Sequence, residues 1–562
     1  MNQFKEQISI LISKELNIKK EEILTLLESP PDPNLGDLSL PCFQLSNLIK
    51  KNPNQIAQEL KSKIHNKNPI IKEIKVIGPY LNLYFNNEKI IEIILKKILK
   101  EKEKYGFKKP NKKKVVIEFP SPNTNKPLHL GHLRNMSLGE SVSRLLGSQG
   151  YKVFRVNLNN DRGIHICKSM LAYKKWGKNK QPDKKPDHFV GDFYVMFAQN
   201  ESPELEKEAQ EMLRKWEAGD KETLNLWKKM NNWALEGFNM TYKRVGLKFD
   251  KTYFESKIYK KGKGLILDCF KKGLFQKDKK GAIFIDLKEL GKKILLREDG
   301  TAIYITQDIY LCKLKFEDFK FDKSIIVSAH EQDYHFKVLF KILGILKFPF
   351  ANKFHHLSYG MVNLPEGRMK SREGTVVDGD DLIQELVDMA KIEIEIRQNI
   401  TQTEMNKIAE KIALAAIKCY LLKSSAHKDI IFNPKESISF EGETGPYLQY
   451  SLVRANKILQ KTKSPKKINL KYLKEKEEID LIKKMNEFPE IIKRSAETYS
   501  PHHLTEYSFK LASLFNIFYE KHQVINAKND QIKNARLALV LAYTYLLNSC
   551  LSLLGIEKVP VM

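Results

Sequence analysis

Apolar residues recur at helical spacing over residues 3–16 and 54–65, and the PPDPNLGDLSLP segment between them is too rich in proline and glycine for a helix. IKEIKVIGPYLNLYFN then alternates apolar and polar residues, which predicts a hairpin of half-buried strands. The charged run KEKYGFKKPNKKK (102–114) reads as a linker. After it, Val115-Val116-Ile117 is a short buried strand. A helix follows with Leu138, Val142, Leu145 and Leu146 on one side, closed by Gly150, and Val153, Val156 and Leu158 mark a second strand. Strand, loop, helix, strand is a βαβ unit. It predicts a parallel sheet with a right-handed crossover, whose ligands bind at the carboxyl ends of the strands, where loop 120–132 lies. Residues 165–280 are charged, dotted with aromatics and helical over 203–217 and 221–245, and read as an insertion. Gly281–Leu287 and Leu295–Tyr304 return to strand patterns, with Asp299-Gly300 as a turn. Ser324–Ala329 is a further buried strand, followed by a helix near 335–345. From 381 the pattern is helical: Ile408, Ile412, Ala415, Ala416 and Cys419 line one face, and three more long helices fill 478–555.

This organisation predicts an α/β protein with a small α+β N-terminal domain (1–108), a parallel-sheet domain (109–380, insertion about 165–280), a helical connecting region (381–440) and an all-α C-terminal bundle (441–562). A length of 562 residues suits about four domains. Hydrophobic content of 42% and charged content of 29% are those of a globular chain rather than a disordered one. Lys+Arg number 96 against 68 Asp+Glu, a net charge of +28. Such a surplus suits a polyanionic partner; the heavy use of Lys, Ile and Asn throughout is the other source of it. The six cysteines are scattered and none forms a C-x-x-C pair, which speaks against a structural zinc or a disulfide framework and for a reducing, cytoplasmic setting. The N-terminus lacks the features of a signal peptide. The longest apolar run, Leu537–Leu547, falls short of the roughly 20 residues a membrane span needs, so a buried bundle helix and no membrane association are expected.

The chemistry concentrates in a few runs. His129-Leu130-Gly131-His132 sits at the turn into the first helix, where two imidazoles on one side of a tight turn can donate to phosphate oxygens and Gly131 lets a nucleotide approach the backbone. Helix capping is the alternative use of the same rings. Glu118, at a strand end, presents a fixed carboxylate suited to a guanidinium, or to an ordinary salt bridge. GRMKSREGTVVDGDDL (367–382) is a cationic loop bracketed by Gly367 and Gly374, with Asp380 or Asp381 to cap the next helix. Tyr304-Ile305-Thr306-Gln307-Asp308 and the run from His330 through Gln332 to His335 each follow a predicted strand and face one crevice. Tyr447, Tyr450, Phe515, Phe518 and Tyr519 offer faces for unpaired bases, or pack the bundle.

The HLGH run resembles the HIGH signature of class I aminoacyl-tRNA synthetases, and EFPSPNTNKPLHLGHLRN (118–135) is similar to the matching stretch of arginyl-tRNA synthetases. Residues 367–372 resemble the KMSKS loop, with Arg368-Met369-Lys370-Ser371-Arg372 in place of the usual letters. FEGETGPYLQY (440–450) resembles the entry to that family's anticodon-binding domain, and GDLSLPCFQLSNLIKKNPNQIA its N-terminal tRNA-binding domain. The resemblance implies a Rossmann-type catalytic domain and an arginine–tRNA ligase acting on ATP with Mg²⁺, L-arginine and tRNA(Arg), expected as a monomer. It implies catalytic roles for His129, Gly131, His132, Lys126, Lys370 and Arg372. ATP contacts fall on Pro122, His129, His132, Gly360, Met361, Val362 and Lys370, arginine contacts on Glu118, Asn123, Tyr304, Asp308 and Gln332, and tRNA contacts on Tyr447 and Tyr450. No protein-bound metal is implied.

Overall fold

The computed structural model describes residues 2–28, 30–64, 68–365, 377–397, 400–462 and 468–562. They form two compact units. One comprises Met1–Gly106, Ser451–Ile491 and Tyr507–Ser549. Its antiparallel sheet has the order Leu38–Pro41, Tyr80–Phe85, Ile71–Ile77. The expected hairpin turns at Gly78, whose φ of +55° lies in the left-handed region that glycine tolerates. The helices Asn2–Leu16 and Pro53–Ile64 bury Phe4, Ile8, Ile12 and Leu60 in a core shared with Leu81 and Leu83.

The second unit comprises Phe107–Tyr450, Ile492–Glu506 and Cys550–Met562. Its sheet has five strands in the order Phe354–Tyr359, Lys323–Ala329, Lys114–Glu118, Lys152–Asn159, Lys251–Phe254, every neighbouring pair parallel. In Lys114–Glu118 every residue after the first is buried, as a strand covered on both faces requires. The helix Leu130–Ser148 connects it to Lys152–Asn159, completing the expected βαβ unit. Four helices (Ile164–Trp176, Pro186–Gln199, Pro203–Ala218, Lys221–Val245) then lead to Lys251–Phe254. That strand falls inside the stretch read as an insertion, yet it belongs to the sheet. From there the chain crosses to the other side and adds Lys323–Ala329 next to Lys114–Glu118. The winding therefore reverses between these two strands, and the crevice outside their carboxyl ends is the switch point where ligands bind in such sheets.

Two other expectations are adjusted. Of the hairpin pattern read over Leu295–Tyr304, the strand Lys292–Leu296 belongs to a separate antiparallel sheet, Leu296 bridges Ala302 across the turn, and Tyr304 is already the first residue of the helix Tyr304–Phe319. The Asp299-Gly300 turn is present, closed by the Arg297 N–H donating to the Thr301 carbonyl at 2.9 Å. The apolar run at the C-terminus extends further than read, since the helix Asp530–Leu553 is long and apolar enough to cross a membrane by length and composition alone. Of its apolar window 72% is buried inside the protein, the mark of a core helix.

Candidate active site

His129 is the N-cap of the helix Leu130–Ser148 and His132 its third residue, and together they form a capping box. The Gly131 N–H donates to His129 Nδ1 at 3.1 Å, and the His129 N–H donates to His132 Nδ1 at 3.1 Å. Both Nδ1 atoms thus accept, which places the proton of each neutral ring on Nε2. Burial, followed by the charge of Lys126, pushes His129 down to about 4. Burial, then the His129 and Lys126 charges, hold His132 well below the ordinary histidine value. Near neutral pH the turn presents two uncharged Nε2–H donors, with ring centroids 3.8 Å apart. Capping and phosphate binding are therefore not alternatives, because they use different nitrogens. A side chain at position 131 would meet His129 Cε1 at 2.9 Å, so the room Gly131 leaves is used by the His129 ring itself.

The loop ahead of the turn is zipped to the next strand. The Asn160 N–H donates to the Pro122 carbonyl at 3.0 Å and the Thr124 N–H to the Asn160 carbonyl at 3.1 Å. Pro122 is buried and Asn123 exposed beside it, while Lys126 is half-buried near the imidazoles. On the far side, the Leu130 N–H donates to the Val377 carbonyl and the Gly379 N–H to the Leu128 carbonyl, both at 2.9 Å. The HLGH turn is thereby paired with the chain leaving residues 366–376. Lys370 and Arg372, with the rest of the cationic loop, lie outside the described residues. The cap of the following helix is Asp378 rather than Asp380 or Asp381: its Oδ1 accepts from the Asp380 and Asp381 N–H groups at 2.9 and 3.0 Å.

Glu118 ends the central strand. Its Oε2 accepts from Lys315 Nζ at 2.8 Å, with side chains 7% and 1% exposed. The carboxylate read as a guanidinium contact already holds a cation of the chain. Burial alone would push Lys315 down, but Glu118 outweighs it and holds the ammonium above the ordinary lysine value. Tyr304, Asp308 and Lys315 recur at helical spacing on the helix Tyr304–Phe319. Tyr304 is 66% exposed and is no core tyrosine. Asp308 Oδ2 lies 2.7 Å from His335 Nε2. Burial opposes the charged imidazole, but this contact holds His335 above its ordinary value. Gln332, at the end of Lys323–Ala329, is exposed.

Sequence reasoning missed Lys315 and Glu255. Glu255 is buried at the end of Lys251–Phe254, with Oε1 3.8 Å from Arg162 Nη1, and burial pushes it up to about 7. The only hint in the sequence was the helical spacing of Lys315 from Asp308. Asp187, His188, Asp378 and Asp380 also converge. Lys185 Nζ sits 2.6 Å from Asp187 and 3.0 Å from Asp380, filling the place a metal ion would take. Tyr447 and Tyr450 are half-buried, and Tyr450 lines a cavity of about 200 Å³ with Phe440, Ile408, Val561 and Met562. Phe515 and Phe518 are fully buried and belong to the bundle core.

Residues 94–434 match the family described as tRNA synthetases class I (R), catalytic domain. With the parallel sheet and the HLGH turn at its switch point, this defines the class, a class I aminoacyl-tRNA synthetase. Residues 2–85 match the arginyl tRNA synthetase N terminal domain and 448–562 the DALR anticodon binding domain. The chain is 46% identical to the arginine–tRNA ligase of Treponema denticola, over 95% of this chain and 94% of the relative. It is 42% identical to that of Borrelia hermsii over the full length of both. The Thermus thermophilus arginyl-tRNA synthetase superposes with a TM-score of 0.82 at 26% identity, covering 100% of each chain. The chain belongs to the arginyl-tRNA synthetase family.

Proposed function

We propose that the chain activates L-arginine with ATP and Mg²⁺ to arginyl-adenylate, then transfers the arginyl group to the 3′ end of tRNA(Arg), releasing AMP and pyrophosphate. The observation that carries this reading is the pair of neutral Nε2–H donors at the mouth of the switch-point crevice. The arginine carboxylate attacks the α-phosphorus in line and pyrophosphate leaves. Charge that grows on the α-phosphate oxygens is met by His129 and His132, with Lys126 beside them and Lys370 and Arg372 toward the leaving pyrophosphate. Pro122 and the Gly360–Val362 backbone take the nucleotide. The tRNA ribose hydroxyl then attacks the adenylate carbonyl. No covalent enzyme intermediate is needed, so positioning is the main source of rate.

Asp308, Glu118, Tyr304 and Gln332 surround the guanidinium, and Asn123 meets the α-substituents. The carboxylates suit a planar cation, and a site built to hydrogen-bond it rejects analogues that lack it. The DALR and N-terminal domains take the tRNA, with Tyr447 and Tyr450 on the anticodon side, and the surplus of 96 Lys and Arg over 68 Asp and Glu favours that partner. All six cysteines are buried and none is joined in a disulfide among the described residues, in keeping with the reducing cytoplasm, where the chain works as a monomer.

Purified protein with ATP, Mg²⁺, total tRNA and each labelled amino acid in turn should load arginine alone. Loading of another amino acid would keep the class and discard the arginine site; tRNA binding without loading would leave a binding protein. Asp308→Asn should raise the KM for arginine by about 10–100-fold, the worth of one charge-assisted hydrogen bond, with the KM for ATP unchanged. A rise confined to the KM for ATP would remove Asp308 from the guanidinium site.

A further inference from the structure

Arg134 is the largest fully buried side chain of the described residues, at 0% exposure. A buried guanidinium normally pairs with a carboxylate, since an uncompensated charge away from water is costly. Arg134 forms no ion pair among the described residues and points its fork at main-chain carbonyls from two segments. Nη1 donates to Gly360 at 2.6 Å and Met361 at 3.1 Å. Nη2 donates to Lys428 at 2.7 Å, Ala426 at 2.9 Å and Ser425 at 3.5 Å. The Tyr359 ring lies 5.8 Å away. Burial pushes the guanidinium down to about 10, against the opposing pull of Tyr359 and the Asp429 carboxylate.

The segment it grips is braced from the other side as well. The Gly360 N–H donates to the Ala426 carbonyl at 2.9 Å, and the Met361 N–H to Asp429 Oδ1 at 2.7 Å. Val362-Asn363 pairs in parallel with Ile430-Ile431. Gly360 fits so closely that a Cβ would lie 2.5 Å from Asp429 Oδ1. Arg134 belongs to the helix that His129 caps, two residues beyond His132. One side chain therefore ties the helix carrying the imidazole donors to the Gly360-Met361 backbone.

We propose that Arg134 is a positioning residue for ATP, fixing the Gly360–Val362 backbone relative to the HLGH helix so that base and α-phosphate are held at a set separation. This rests on the reading that Gly360–Val362 meets the adenine. A planar five-donor fork can span two chain segments at once, which a lysine ammonium on a flexible stem cannot do at the same geometry.

The test is steady-state arginine activation with tRNA present, using wild type and Arg134→Lys, with ATP and with the triphosphate of purine riboside, which lacks the 6-amino group. Arg134→Lys should raise the KM for ATP about 10-fold, with kcat and the KM for arginine within about 3-fold of wild type, and should reduce the preference for ATP over the analogue. The inference is overturned if the variant keeps the wild-type KM and preference, or if the KM for arginine rises as much as that for ATP, the mark of a merely structural role. If wild type itself does not distinguish ATP from the analogue, the adenine reading fails, and the inference with it. Should Arg134→Lys not fold, Asp429→Asn replaces it: Asp429 is exposed and braces the same segment. A several-fold rise in the KM for ATP alone is then expected, and an unchanged KM overturns the inference.

Discussion

His132→Ala is expected to cut arginyl-adenylate formation by about 10²–10³-fold, the usual loss when one preorganised donor to transition-state charge is removed. The tautomer decides the size of the effect. His132 Nδ1 accepts the His129 N–H, so the proton sits on Nε2 and faces away from the backbone. Burial holds both rings neutral, so no charge is lost on substitution; what is lost is a fixed donor whose geometry costs nothing at the moment of reaction. His132→Asn restores an N–H donor on a shorter side chain and should recover part of the rate. Near-normal turnover of the alanine variant would remove His132 from the chemistry. The depressed values also fix a pH dependence. His129, neutral down to about 4, gives the activation rate no inflection near the ordinary histidine value of about 6.5. Its folded pKa lies below its unfolded one, so its contribution to stability is complete above about 6.5 and is lost as pH falls toward 4. A rate profile that falls through 6.5 and is flattened by His129→Asn would contradict the neutral assignment.

The turn itself was legible because capping and spacing are local. A strand, a loop with His129 and His132 three apart, and a helix with Leu138, Val142 and Leu145 on one face leave few arrangements open. The long terminal helices were legible for the same reason, and Lys476–Glu497, His502–Lys521 and Asp530–Leu553 fall where the pattern put them. Edge strands were not. Lys251–Phe254 has four residues of which one is buried, too little apolar signal to stand out among long helices. Tyr304 was read with the strand pattern because Ala302-Ile303-Tyr304 is a short apolar run after the Asp299-Gly300 turn, too short to show by itself that a helix begins at Tyr304. Partners across the chain were least legible. Lys315 lies 197 residues from Glu118, and Arg134 lies 226 from Gly360, and no spacing rule reaches that far. Sequence could name Glu118 as a carboxylate awaiting a guanidinium; only the fold reveals the lysine already beside it.

That lysine leads to the second large effect. Lys315→Met is expected to cost about 3–5 kcal/mol, because removing one partner of a buried pair leaves the other charge without compensation. Both side chains are almost fully enclosed, and water cannot take the lysine's place without opening the packing around the central strand. The double substitution Lys315→Met, Glu118→Gln removes both charges and should recover most of the stability, since a neutral pair of similar volume costs little to bury. Urea unfolding of the single and double variants measures this; a loss below about 1 kcal/mol in the single variant would show that the pair is not what holds the strand end. The same variants separate the two uses of Glu118. If its carboxylate also meets the substrate guanidinium, arginine will stabilise Lys315→Met more than wild type, because the ligand then supplies the missing cation to the folded state alone. The double variant will be stable yet slow to activate arginine. If Glu118 serves only the fold, arginine will shift both proteins equally and the double variant will keep its activity.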